Sequence, residues 1–106
     1  MSNSEKKVIT QALWVLGDTH SLCIIYHLDG KSLRFCELQR ALNGLNPTTL
    51  SNRLKKLEDE DIIARDEETV DKISVIYSLK KKGRDILPII EDITKFADKY
   101  YGKKKA

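Results

Sequence analysis

The first half of the chain repeats its apolar residues with a helical period. A first helix is predicted from one apolar stripe, which consists of Val8, Ala12 and Leu16. The polar residues 1–5 are expected to precede it as irregular chain. A second helix, predicted over 19–28, is apolar on nearly all sides, which is typical of a central, buried helix.

Two further helices are separated by a turn. The third is predicted over 35–42, and Asn43-Gly44 after it is a strong turn signal. The fourth is predicted from Pro47 to about Glu60, because Asn46 is a preferred N-cap and proline fits the first helical turn. Its inward residues fall at i, i+4 and i+7 and are Leu50, Leu54 and Leu57.

The period changes to two after the fourth helix. Strands are predicted over 63–67 and 73–79, with a hairpin loop over 68–72, and one short strand is expected within 31–34. The helical period then returns and predicts one helix over 80–101, about 30 Å long, which Pro88 is expected to bend.

This order of elements predicts a winged helix-turn-helix. The fold class is mostly α, of the α+β type, with a two-stranded wing and a long C-terminal dimerisation helix. We expect one domain over 1–106, in which 5–28 and 80–101 form the dimerisation helices, 35–60 the helix-turn-helix and 62–79 the wing hairpin.

Composition and charge limit the classes of function that this chain can have. The net charge is only +3, but residues 58–71 hold eight acids and one base, so the other 92 residues are strongly basic. This balance is compatible with nucleic-acid binding. Two cysteines, no signal peptide and no long apolar run favour a cytoplasmic protein without a membrane partner. The sequence shows no nucleophile triad, phosphate-binding glycine loop or paired carboxylates, so we expect neither an enzyme nor a cofactor.

The fourth helix presents a polar face opposite its leucines. Asparagine can bond adenine through two atoms, and lysine and arginine reach guanine or phosphate. The start of this helix is also expected to offer free backbone N–H groups to a phosphate. Arg34 and Arg40 bracket the third helix, where backbone contacts are expected, and Lys72 lies in the wing. The predicted contacts with double-stranded DNA are Arg34, Arg40, Thr48, Thr49, Ser51, Asn52, Arg53, Lys55, Lys56 and Lys72.

The last helix has more large apolar residues than one stripe needs, and Trp14 lies off the stripe of the first helix. A monomer would expose some of them. We therefore predict a homodimer that presents two recognition helices about 34 Å apart. The predicted interface residues are Val8, Leu13, Trp14, Ile89, Ile93, Phe96 and Tyr100.

Two alternatives stay open at this stage. The acidic wing favours a winged-helix module that binds proteins instead of DNA. A metal- or thiol-responsive regulator is the other, since His20, Cys23 and His27 fall at i, i+3 and i+7 and Cys36 lies near the start of the third helix. Metal use is the less favoured of these readings, because three ligands on one short helix rarely converge on one ion.

Motifs in order along the chain resemble the HxlR-type family of small bacterial and archaeal winged helix-turn-helix regulators. These motifs are Leu16-Gly17-Asp18, Leu33-Arg34-Phe35-x-Glu37-Leu38, Pro47-x-Thr49-Leu50-Ser51-x-Arg53-Leu54 and Tyr77-Ser78-Leu79-x-x-x-Gly83. The resemblance spans about 8–101. It implies a homodimer on a palindromic operator, a recognition role for the fourth helix, and Arg34 near the DNA backbone. Several members sense oxidants through a cysteine before the first helix, whereas the first cysteine here is Cys23.

Overall fold

A computed structural model describes residues 2–69 and 73–102. The helices are α1 (Asn3–Leu16), α2 (Thr19–His27), α3 (Phe35–Ala41), α4 (Pro47–Asp59), α5 (Lys81–Arg84) and α6 (Leu87–Tyr101), and the strands are β1 (Leu33–Arg34), β2 (Ile63–Thr69) and β3 (Ile73–Leu79). The predicted mostly α fold with a small antiparallel sheet is confirmed. The predicted contact Lys72 lies outside the described residues.

The sheet has three antiparallel strands in the order β1-β3-β2. The short strand β1 pairs with β3, so the two-stranded wing continues into a third strand at its base. Alternation of side chains puts the buried Ile63, Tyr77 and Leu79 on one face, while Asp66 and Glu68 lie on the other. At the base of the wing the inner face of the sheet is therefore apolar, while the outer face carries two acids.

The core lies between α2, α3, α4 and the inner face of the sheet. Ile24 and Ile25 of α2 are fully buried, as the apolar character of this helix predicts. The leucines of α4 are buried beside them, with Leu50 and Leu57 at 0% exposure. Because this face of α4 is fixed inside the molecule, the opposite face must point outward.

The chain start differs from the sequence prediction. Residues 1–5 were expected to be irregular, but α1 begins at Asn3. The reason is an N-cap, since Ser2 Oγ accepts a hydrogen bond from the Glu5 backbone N–H at 3.2 Å. The strand β2 also runs two residues further than predicted, to Thr69.

The single helix predicted over 80–101 is wrong. The chain forms α5 and α6 separately, and the buried Ile86 lies between them. Pro88 lies in the first turn of α6, where a proline fits without bending the helix. Gly83 in α5 is buried, and a Cβ there would lie 2.4 Å from the Ile62 carbonyl oxygen. This close approach ties α5 to the base of the wing.

The molecule is flat and extended for its size. Its radius of gyration is 15.8 Å and its extents are 51 × 47 × 24 Å, whereas a compact domain of this length has a radius of about 13 Å. In the described residues, no single helix is long and apolar enough to cross a membrane; α1 and α2 together would reach the length but are bent by 64°.

Candidate nucleic-acid interface

The turn between α3 and α4 sets the angle between the two helices. Asn43 and Gly44 both have positive φ, 58° and 76°, which asparagine and glycine tolerate better than other residues. The Gly44 N–H donates to the Gln39 carbonyl oxygen at 2.8 Å, and the Gln39 amide donates to the Leu45 carbonyl oxygen at 3.0 Å. These hydrogen bonds end α3 and fix the conformation of the turn that precedes α4.

The first turn of α4 is capped from within the chain. Asn46 Oδ1 accepts hydrogen bonds from the backbone N–H groups of Thr48 at 2.8 Å and Thr49 at 3.3 Å. The expectation of free N–H groups for a phosphate is therefore wrong at these two positions, because the asparagine that starts the helix occupies them.

The outer face of α4, defined as Thr48, Ser51, Asn52 and Lys55, is exposed to solvent. Thr49 beside it is half-buried. Lys55 Nζ lies 3.8 Å from Asp59 Oδ2, with both side chains mostly exposed, so this pair holds the lysine only weakly. The face thus offers hydroxyl, amide and ammonium groups to an approaching partner.

Arg53 and Lys56 are partly buried and are held by contacts with residues 14 and 18. Arg53 Nε donates to Asp18 Oδ2 at 2.7 Å, and Lys56 Nζ lies 3.9 Å from the same oxygen. The Lys56 ammonium also donates to the Trp14 carbonyl oxygen and lies 4.4 Å from the centre of the Trp14 ring. Both bases are among the predicted DNA contacts, whereas their side chains contact residues at the junction of α1 and α2.

Asp18 is the centre of this junction. Its carboxylate accepts hydrogen bonds from Ser21, from the backbone N–H at 3.2 Å and from the hydroxyl at 2.5 Å. Partial burial disfavours the charged form, but the Ser21 hydrogen bond and the Arg53 charge outweigh it and hold the pKa of Asp18 below its usual value. The sequence showed this residue only as a cap, and its contact with α4 has no local signal.

The two arginines near α3 have different surroundings. Arg34 Nη2 lies 3.3 Å from Glu68 Oε2, and Arg34 Nε donates to Ser74 Oγ at 3.1 Å. Glu37 does not pair with this guanidinium, since its carboxylate accepts the Arg34 backbone N–H at 2.8 Å. Arg40 is exposed, and its Nε donates to the Cys36 carbonyl oxygen at 3.4 Å.

The seven residues predicted for the dimer interface are all exposed. Their exposed fractions range from 41% at Ile89 to 64% at Val8. Ile9, Tyr26 and Tyr101 are exposed in addition. α6 has no fully buried residue, and Val15 is the one buried residue of α1. Both helices therefore present apolar faces to solvent.

Of the alternative sites, the metal site is not assembled. Among residues 2–69 and 73–102, no three histidine, cysteine or acidic side chains are grouped as a metal site, so the spacing of His20, Cys23 and His27 does not gather ligands. Cys23 is half-buried and Cys36 is exposed, and both are free thiols.

Comparison with known proteins agrees with the resemblance seen in the sequence motifs. The model of the HxlR-like helix-turn-helix family matches residues 15–105. The uncharacterized HTH-type transcriptional regulator YvaP of Bacillus subtilis (strain 168) is 34% identical over 90 residues, which cover 85% of this chain and 83% of YvaP.

Two solved structures share the fold. A protein assigned to the MarR family of transcriptional regulators, from Porphyromonas gingivalis W83, superposes with a TM-score of 0.83 at 29% identity and covers 94% of this chain and 97% of its own. The redox regulator HypR in its oxidized form has a TM-score of 0.80 at 23% identity, over 92% of this chain and 98% of its own. These similarities confirm the winged helix-turn-helix architecture.

Proposed function

This chain belongs to the HxlR-like helix-turn-helix family, and on that premise we propose that it acts as a homodimer on a palindromic operator. Membership makes it a transcriptional regulator with a helix-turn-helix DNA-binding fold. The dimer, the operator symmetry and the contacting residues are the parts that we infer from the geometry.

The observation that carries the proposal is the outer face of α4. Its leucine face is buried, so the four polar residues opposite are held outward by the core. A recognition helix needs such a face to reach base edges in the major groove. We assign base contacts to Asn52 and Lys55 and supporting contacts to Thr48, Thr49 and Ser51.

The basic residues near this face have two different proposed roles, contact with phosphate and positioning of α4. Arg40 is exposed at the end of α3, where the first helix of the motif crosses the sugar-phosphate backbone, and we assign it a phosphate contact. For Arg53 and Lys56 we propose a positioning role, because their contacts with Asp18 and Trp14 fix α4 against α1 and α2.

A second copy of the chain is the proposed occupant of the apolar faces of α1 and α6. Large apolar side chains are exposed along both helices, which are 14 and 15 residues long. An exposed apolar surface of this extent is typical of a protein–protein interface. A two-fold dimer would bury them and set two α4 helices about one DNA turn apart. The operator would then contain two inverted half-sites with about that spacing.

Selection of bound sequences from a random duplex library tests the proposal. The wild type is expected to enrich an inverted repeat with half-sites one turn apart. Asn52→Ala should relax the preference at one position in each half-site, with a loss of about 1–3 kcal/mol of discrimination there. Arg40→Ala should weaken binding to every duplex alike and reduce the salt dependence.

Asn3→Ala is the matched control, since Asn3 is an exposed asparagine in α1, distant in sequence from the motif. It should leave the selected sequence unchanged. An unstructured selection, together with no salt-dependent binding to any duplex, would refute the proposal and favour the protein-interaction module. Selection of a single, unrepeated half-site would refute only the dimer.

A further inference from the structure

The outer face of the sheet carries an unusual charge arrangement at its edge. Register places Arg34 of β1 beside Ile76 of β3, which in turn pairs with Asp66 of β2. One pleat further along, Ser74 pairs with Glu68. Since residues two apart in a strand share a face, Arg34, Ser74 and both acids lie on the same side. Arg34 is the one base on this face among the described residues of the sheet.

Two side chains hold the Arg34 guanidinium. Ser74 Oγ accepts from Nε at 3.1 Å, and Glu68 Oε2 accepts from Nη2 at 3.3 Å. The side chains of Arg34 and Glu68 remain about half exposed, at 55% and 47%. A guanidinium has five N–H hydrogens, so the group is oriented while most of its donors still face solvent.

The Arg34–Glu68 ion pair lies beside α3, where a DNA phosphate is expected to approach. Arg34 immediately precedes α3, the helix that crosses the backbone in a helix-turn-helix. A phosphate that approaches the guanidinium also approaches the Glu68 carboxylate, and the two anions repel. The ion pair must therefore be weakened before Arg34 can neutralise a phosphate.

We propose that Glu68 is an affinity-determining residue, whose carboxylate competes with the DNA phosphates for Arg34. The inference rests on the proposed DNA-binding function. Glu68 suppresses the sequence-independent part of binding, which phosphate contacts supply. The base contacts come from α4, a separate element, so a larger share of the total binding then depends on the base sequence.

Anisotropy of a labelled random-sequence duplex, titrated over a series of NaCl concentrations, measures this effect. Glu68→Gln should bind about 1.4- to 5-fold more tightly per protomer at low salt, the range expected when one exposed ion pair is removed. Its log–log salt slope should steepen by about 0.9 per protomer, because one more phosphate is neutralised. Arg34→Gln alone should weaken binding slightly, because one positive charge is lost. When it is added to Glu68→Gln, the affinity should return to about the wild-type value.

Glu67→Gln is the matched control. It removes the same charge from the same strand, but Glu67 lies on the opposite face of the sheet and its carboxylate is 3.8 Å from Arg65 Nη1. It should give less than half of the Glu68→Gln gain, through net charge alone. Thermal melting should show that both variants, changed at exposed positions, fold like the wild type.

Equal gains for Glu68→Gln and Glu67→Gln would overturn the proposal, and so would a Glu68→Gln gain that survives the loss of Arg34. Weaker binding by Glu68→Gln would mean that Glu68 orients Arg34 for DNA instead. In each of these cases the wild type still binds duplex, so the proposed function stands. If the wild type and every variant fail to bind, the proposed function itself is refuted, and this inference with it.

Discussion

Removal of the Asp18 carboxylate is expected to destabilise the fold more than any exposed charge change, because this group has three separate tasks. It caps α2, it satisfies the hydroxyl of the fully buried Ser21, and it pairs with Arg53 of α4. Asp18→Ala removes all three.

The magnitude follows from these contacts. Loss of an N-cap costs about 1 kcal/mol. A buried hydroxyl left without its partner costs about 1–3 kcal/mol. The Arg53 side chain is 34% exposed, so the ion pair adds only about 0.2–1 kcal/mol after solvent screening. Since these contributions overlap, we expect a loss of about 2–4 kcal/mol in the free energy of unfolding.

Asp18→Asn separates the contributions. The amide retains the cap and an acceptor for Ser21 but loses the charge, so this variant should lose only about 0.5–1 kcal/mol. Asp29→Ala is the control, because Asp29 is an exposed aspartate just beyond the other end of α2.

Urea denaturation at one fixed protein concentration provides the comparison, since an oligomer makes stability concentration-dependent. In thermal melts, Asp18→Ala should lower Tm by at least about 8 °C. A loss below about 0.5 kcal/mol for Asp18→Ala, or equal losses for Asp18→Ala and Asp29→Ala, would refute the argument that this carboxylate joins α2 and α4.

Three further outcomes are expected. Because the folded pKa of Asp18 is lowered, its contribution is present above the unfolded value and is lost as pH falls through the folded value, so Asp18→Asn should flatten the pH dependence of stability in the acid range, around and below the ordinary pKa of an aspartate. Gly83→Ala should cost about 1–3 kcal/mol in urea denaturation, because its Cβ would overlap a backbone carbonyl, whereas the exposed neighbour Lys81→Ala should cost little. Phe96→Glu should shift sedimentation to the monomer, while Lys95→Gln, the same change in charge at an exposed residue that pairs with Glu91, should leave the dimer intact; a monomeric wild type would contradict the proposed interface.

The sequence predicts the features of this fold that depend on neighbours along the chain. Helical and strand periods locate the elements, and the leucine spacing in α4 identifies its buried face, because each signal is contained within one element. The apolar excess of α6 likewise indicates a surface that the monomer does not cover.

The errors arise where one element meets another. The leucine spacing in α4 does not show that Arg53 contacts an aspartate 35 residues earlier. The pairing of Arg34 with Glu68 is separated by 34 residues and depends on the register of three strands. The break before α6 lies between two segments that both have a helical period, so the period does not show it. Pro88 follows the break and cannot donate the backbone hydrogen bond that would continue the preceding helix.

The sparse attachment of α6 has a consequence for how the chain behaves at low concentration. Leu87 and Ile90 pack against the core, while most of the later residues face water. An isolated helix of this length is marginal in water. Backbone amides in its second half should therefore exchange with deuterated solvent rapidly in dilute protein and slowly once copies associate, so that the order of this segment reports occupancy of the second subunit.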